Sequence, residues 1–315
     1  MGRTRALWGT AIVGLLTALC PARVAWAQAT PSGVGGIATP DLIPTEDTLD
    51  TTYGLSMGSG ARAGAIGVSA LAYNTSNMAA VSKYDVEAFS QIIGGNKSNG
   101  GTYWTLGSSI TDSTTSKKIA MGTSFRGVFS GANRRYSGWD WRSGIGIQAV
   151  PQLGFGVAFR WAKLKSDRVD GQRVGPSFEG VTMDASLTVT PIPWLRVSAL
   201  GYNLVKTHSA LAPQMAGASL SLAPVESFNF GGDVLFDLTT FEKKKLIAGV
   251  GVSYTAGEMI PLRIGYRRDA GRDLNQITAG AGYVKGKVGA EIALRQDIKG
   301  RKETYLILMF RLVVQ

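Results

Sequence analysis

From about residue 83 to the end of the chain, apolar and polar side chains take turns. Leu153, Phe155, Val157, Phe159 and Trp161 alternate with Gly154, Gly156, Ala158 and Arg160. Val181, Met183, Ala185, Leu187 and Val189 alternate with Thr182, Asp184, Ser186 and Thr188. Phe228, Phe230, Val234, Phe236 and Leu238 share one register, opposite Asn229, Asp233 and Asp237. Leu262, Ile264 and Tyr266 oppose Arg263 and Arg267, and Val288, Ala290, Ile292 and Leu294 oppose Glu291 and Arg295. A period of two marks a strand whose faces meet different surroundings. The segments run to about 10–14 residues, enough for a tilted strand to cross a bilayer, whereas strands of water-soluble domains average about 5–6. About 14 of them can be counted, the even number expected of a closed antiparallel barrel. The predicted fold class is all-β: an antiparallel transmembrane β-barrel over residues 83–315, with a plug-like N-terminal segment.

The links between segments support this. Every second one is brief: Val150-Pro151-Gln152, Thr190-Pro191-Ile192-Pro193, Ala223-Pro224-Val225, Ala256-Gly257-Glu258 and Lys285-Gly286. The intervening links are longer and more polar, at Gly94 to Gly101, Ser130 to Asp140, Ser166 to Ser177, Lys206 to Pro213 and Asp297 to Lys302. Short turns at one end and long loops at the other distinguish an outer-membrane barrel from a β-sandwich. In the last segment Leu306, Leu308, Phe310, Leu312 and Val314 form one apolar face, of the kind barrel-assembly machinery recognises, although the terminal Gln315 is not aromatic. The opposite face, Ile307, Met309 and Val313, is apolar too apart from Arg311. Either the lumen is not fully wet there, or an N-terminal plug covers it.

The first 82 residues read differently. Arg3 and Arg5, an apolar run from Leu7 to Leu19, and Ala25-Trp26-Ala27 make a secretory signal peptide over residues 1–27. Gln28 to about Leu55 lacks periodicity, contains Pro31, Pro40 and Pro44, and reads as an irregular periplasmic segment within an N-terminal region 28–82. Cys20 is the only cysteine and lies in the signal, which excludes a disulfide framework and a thiolate metal site from the mature part.

The net charge of +11 comes from scattered residues that cluster only in loops such as Asn133-Arg134-Arg135 and Lys243-Lys244-Lys245. With no basic helix or RNA-binding motif, anionic lipopolysaccharide and outer-membrane lipid suit that charge better than nucleic acid. Nothing in the sequence assembles an enzyme site or calls for a cofactor. The single histidine, His208, sits in a long link, and no phosphate- or dinucleotide-binding loop is present.

Gly60-Ala61-Arg62-Ala63 with Gly67, followed by Tyr73-Asn74-Thr75-Ser76-Asn77-Met78-Ala79, resembles the FadL/PorV-like superfamily of outer-membrane proteins. Members carry a G-A-R-A-x-x-x-G stretch and then a Y-x-N-P-A-G-L-A-like one; here Thr75 and Ser76 replace the proline and alanine. The resemblance implies a 14-stranded barrel with the N-terminal segment tucked inside. It makes Gly60 to Ala80 a hatch, including Gly60, Ala61, Arg62, Gly67, Tyr73, Asn74 and Met78. A periplasmic tail with no gating role is the alternative. The resemblance also implies passive transport of a hydrophobic small molecule or, in the PorV-like manner, binding and anchoring of secreted proteins at the cell surface.

Arg160, Asp184, Arg196, Asp233, Asp237, Arg263, Arg267, Glu291 and Arg295 fall on the register away from lipid. Facing hydrocarbon, an arginine costs roughly 2–4 kcal/mol. Their mixed signs suggest an internal ion-pair network, with a selectivity ring as the alternative. Trp104, Trp139, Trp141, Trp161 and Trp194 lie near segment ends, where interfacial girdles form, though some could line a ligand path.

Overall fold

The computed structural model describes residues 50–94, 103–116, 118–130, 136–166, 168–169, 172–173, 177–300 and 302–314. The signal peptide, the segment 28–49, the first long link and the Asn133-Arg134-Arg135 cluster therefore lie outside the described residues. Four short helical pieces come first: α1 (Thr52–Ser56), the 3-10 turn η1 (Arg62–Gly64), α2 (Val68–Tyr73) and the 3-10 turn η2 (Thr75–Ala80). The strands follow as β1 (Tyr84–Gly94), β2 (Tyr103–Asp112), β3 (Ile119–Ser130), β4 (Tyr136–Val150) and β5 (Leu153–Ser166). After a two-residue-per-strand hairpin, β6 (Arg168–Val169) and β7 (Gln172–Arg173), come β8 (Phe178–Ile192), β9 (Leu195–Tyr202), β10 (Met215–Val225) and β11 (Phe228–Asp237). The chain ends with β12 (Lys245–Ala256), β13 (Ile260–Asp269), β14 (Leu274–Lys285), β15 (Val288–Lys299) and β16 (Thr304–Val314).

Fourteen of these strands close into one antiparallel barrel, each paired with its neighbour in sequence, β5 passing over the small hairpin to β8. β16 pairs with β1 along eleven positions, from Tyr84 opposite Val314 to Gly94 opposite Thr304. Closure removes both sheet edges, so every strand's backbone groups bond to a neighbour, as hydrocarbon surroundings require. The link asymmetry is present: residues 151–152, 193–194, 226–227 and 286–287 turn the chain at one end, and 203–214 and 238–244 at the other. Several link boundaries differ from the sequence reading: β4 begins at Tyr136, β8 runs to Ile192 and β10 to Val225. β15 continues to Lys299, so the link after it is 300–303 rather than 297–302. Asp297 is inward and buried, accepting a hydrogen bond from Gln276, which keeps the polar run of this strand paired instead of looping out.

Alternation sorts the side chains. On β16, Phe310 is 68% exposed and Met309 2%. Met121, Phe125, Phe159, Val181, Ile264 and Ile277 are likewise exposed on the outer surface. A water-soluble protein would bury so continuous an apolar surface. Near the long-loop end Trp104 stacks on Phe129 at 4.8 Å, and Trp139 meets Trp161 edge-on at 4.9 Å. Trp194 lies in a short turn at the other end.

Candidate functional site: the plugged lumen

Residues 50–80 are folded inside the barrel. Among the described residues the plug reaches back at least to Asp50, ten positions before the Gly60 expected from the sequence, and 50–55 is not a periplasmic tail. Its polar side chains, which carry no period to read, are matched one by one by the wall. Asp50 binds Arg295 at 2.8 Å, and Thr52 donates to Glu291 at 3.2 Å. Thr51 caps α1 by accepting from the Gly54 N–H. The Tyr73 hydroxyl donates to Asp50 at 2.7 Å. Burial first, and then the Asp50 carboxylate, push that hydroxyl well above its ordinary pKa, so it remains a donor.

Two glycine tracks in the wall receive the plug backbone. On β11–β14, Gly231, Gly249, Gly251, Gly265 and Gly280 face inward under residues 56–61. A Cβ on Gly249 would stand 2.2 Å from the Gly58 carbonyl, and one on Gly251 2.5 Å from that of Met57. On β4 and β5, Gly146, Gly154 and Gly156 do the same for Thr75 and Ser76. Only glycine permits backbone to lie on backbone this closely.

The hatch residues sit between the tracks. Gly60 lies against Gly249 and Gly231, and Ala61 is buried beside it. Arg62 binds Asp233 at 2.8 Å while its guanidinium stacks on the rings of Tyr73 and Tyr202, at 5.3 and 5.7 Å. Asp233 also accepts from Ser219 and from the Arg62 backbone N–H. Gly67 has φ +58° and leads into α2, whose first N–H, on Val68, points at Asp85. Asn74 donates to Thr188 and Ser198, and Met78 packs with Leu71 and Ala120. Ser76, standing where the family pattern has alanine, bonds to Thr188 and through its backbone N–H to Ser186.

The nine charged residues singled out in the sequence all point inward. Arg160 pairs with Asp140, Asp184 with Arg142, Asp233 with Arg62, Arg263 with Glu291, Arg295 with Asp50, and Asp237 approaches Arg272 at 3.7 Å. Arg267 is fully buried and Arg196 half-buried. Opposite signs alternate within the cluster, unlike a ring of one sign at one depth. Sequence reading missed Asp85, Glu87, Arg126, Asp140, Arg142 and Arg272, and noted Arg311 only as the polar exception on the last strand's inner face. The signal for one pair was available, because Asp140 and Arg142 alternate with Trp139 and Trp141. At the closing seam Arg311 bonds to Glu87 and lies 3.4 Å from Asp85 and 3.6 Å from Glu291. The terminal strand's outward face, Leu306, Leu308, Phe310 and Leu312, takes no part in this interior.

Near the long-loop end the interior carries apolar clusters beside buried polar groups, the latter including Asp237, Asp269, Arg272, Asp297 and Glu303. Phe89, Ile93, Val128, Leu164, Phe178, Tyr305, Ile307 and Met309 form one buried cluster, joined by Leu55 of the plug and by Leu211 and Ala212 of the β9–β10 link. Leu200, Tyr202, Met215, Leu235 and Ile247 form a second on β9–β12. At the level of the plug the packing is tight. A cavity of about 10 Å³, room for one water, lies between α2 and Ser109, Ser124, Arg126, Asp140 and Arg142.

No family model matches the sequence, and no curated protein does. Solved structures do match in fold. The Ralstonia pickettii toluene transporter TbuX superposes with a TM-score of 0.60 at 11% identity, over 84% of this chain and 97% of that one. A Pseudomonas aeruginosa FadL homologue gives 0.58 at 9%, over 86% and 98%. A deletion mutant of the monoaromatic hydrocarbon channel TodX gives 0.54 at 10%, over 84% and 98%. With a closed fourteen-stranded wall and its N-terminal segment folded within, this chain has the fold of the FadL-like channels.

Proposed function

We propose that this protein resides in the bacterial outer membrane and passively conducts a hydrophobic small molecule across it. The observation that carries the reading is the apolar cluster on the inner face of β1, β3, β5 and β16 near the long-loop end. A water-filled diffusion pore has no use for Phe89, Ile93, Leu164, Phe178 and Ile307 gathered on its inner face, whereas a hydrophobic molecule arriving among the loops would be held there. The names of two proteins with this fold, a toluene transporter and a monoaromatic hydrocarbon channel, support the same class of cargo. In this reading the plug and the paired charges around it stop free flow of water and ions. The basic outer loops meet lipopolysaccharide, and the outward face Leu306, Leu308, Phe310, Leu312 and Val314 serves the assembly machinery.

A second reading is favoured by the tight packing around the plug. A lumen whose wall holds the plug backbone this closely also suits a surface anchor that binds a secreted protein with its loops. Purification from outer membranes, followed by mass spectrometry of what accompanies the chain, separates the two. A hydrophobic small molecule without a stoichiometric protein supports transport; a stoichiometric protein without such a molecule overturns it in favour of the anchor.

A further inference from the structure

Within the apolar cluster near the long-loop end, two polar side chains have no hydrogen-bond partner among the described residues. Gln91 of β1 is fully buried, and neither its Oε1 nor its Nε2 has a hydrogen-bond partner among the described residues. Thr105 of β2, directly opposite it in register, is equally buried with its Oγ1 unpartnered. On the other side Gln91 is paired with Ile307 of β16, and along its own strand it lies between Phe89 and Ile93. All three belong to the apolar cluster. A primary amide has donors and acceptors to satisfy. Stranding it in a dry apolar site is costly, and a leucine or methionine of similar size would fill the space without that cost. Other buried groups here also keep an unpartnered atom, such as Asp140 and Gln276, but those side chains bond through their other atom, whereas both amide atoms of Gln91 are unpartnered. Two neighbouring failures on one patch mark a place where bonding is completed from outside.

From this, and resting on the transport reading above, we infer that Gln91 and Thr105 are the polar contacts of a binding site for a mostly apolar molecule bearing one neutral hydrogen-bonding group, such as an alcohol or a phenol. A hydroxyl both donates and accepts, as the amide does. A neutral group fits because the nearby cations are already engaged: Arg295 holds Asp50, and Arg126 stacks on Phe89 at 4.5 Å. Room comes from the β9–β10 link. Leu211 and Ala212 fill part of the cluster without belonging to the wall, so an outward shift of that link vacates their volume.

The test compares toluene with p-cresol, which adds one hydroxyl to the same methylated ring. Binding to the full mature protein in lipid nanodiscs is measured by calorimetry, with empty nanodiscs correcting for partition into lipid. Wild type should bind p-cresol about tenfold more tightly than toluene, as one hydrogen bond in a dry site provides. Gln91→Leu should bring that ratio close to one, and Thr105→Val should reduce it part of the way. Both substitutions remove a stranded polar group at nearly constant size, and folding is checked by heat-modifiable gel migration; if Gln91→Leu does not fold, Gln91→Met replaces it. A wild-type ratio near one, or a preference that survives Gln91→Leu, overturns the inference, the latter meaning that a buried water pairs with the amide. Toluene binding without a hydroxyl preference sinks this inference and leaves the transport reading intact, whereas binding of neither compound sinks both.

Discussion

Arg62 and Asp233 show how charge is carried inside this barrel. Both are almost wholly buried, and each is the other's main partner. Removing one leaves an uncompensated charge, which costs about 3–5 kcal/mol, while replacing both with apolar residues of similar volume costs far less. Asp233→Ala should therefore lower unfolding stability in lipid by about that amount, and Arg62→Met with Asp233→Leu should recover most of it, as read by denaturant titration. If the double variant is as unstable as the single one, the aspartate matters for something other than neutralising Arg62. The inward direction of residues such as Asp184, Glu291 and Arg295 was legible because parity along a two-faced strand fixes where a side chain points. Their partners were not legible in the same way. Asp50 and Arg295 meet across 245 positions of sequence, and Asp50 lies in a stretch with no period at all.

At the scale of elements, wall and plug are fitted through glycine. The strand alternation announced Gly154 and Gly156 as inward positions, but not that Thr75 and Ser76 would rest on them. A missing side chain leaves no trace of what fills its place. Gly249→Val, which sets a branched side chain where the Gly58 carbonyl now lies, should expel residues 56–61 from their track. The expected readouts are protease cleavage within residues 50–80 of the folded barrel and a raised ion conductance in planar bilayers; an unchanged, protected plug would contradict this contact. The terminal strand offers a contrasting prediction. Phe310→Lys places a charge in the outward band and should cost roughly 2–4 kcal/mol near the bilayer midplane, visible as a smaller heat-modifiable fraction in membranes. An undiminished fraction would mean that Phe310 does not face lipid.

For the whole molecule, the barrel itself was the most legible feature. Strand length, period and link asymmetry all follow from one physical demand, that backbone polar groups be satisfied between strands while side chains divide lipid from lumen. What lines the lumen was not legible, because an inward isoleucine such as Ile307 reads the same whether it meets water, a plug or a ligand. Only the closed fold shows that it joins Phe89 and Leu164 in a buried apolar cluster that Leu55 of the plug completes. The most direct test of what that cluster serves is uptake of radiolabelled toluene by cells that carry the protein in the outer membrane, against cells that lack it, with a polar solute of similar size as control. Transport of hydrophobic molecules predicts faster toluene entry with the polar solute unchanged; equal toluene rates in the two strains would contradict it.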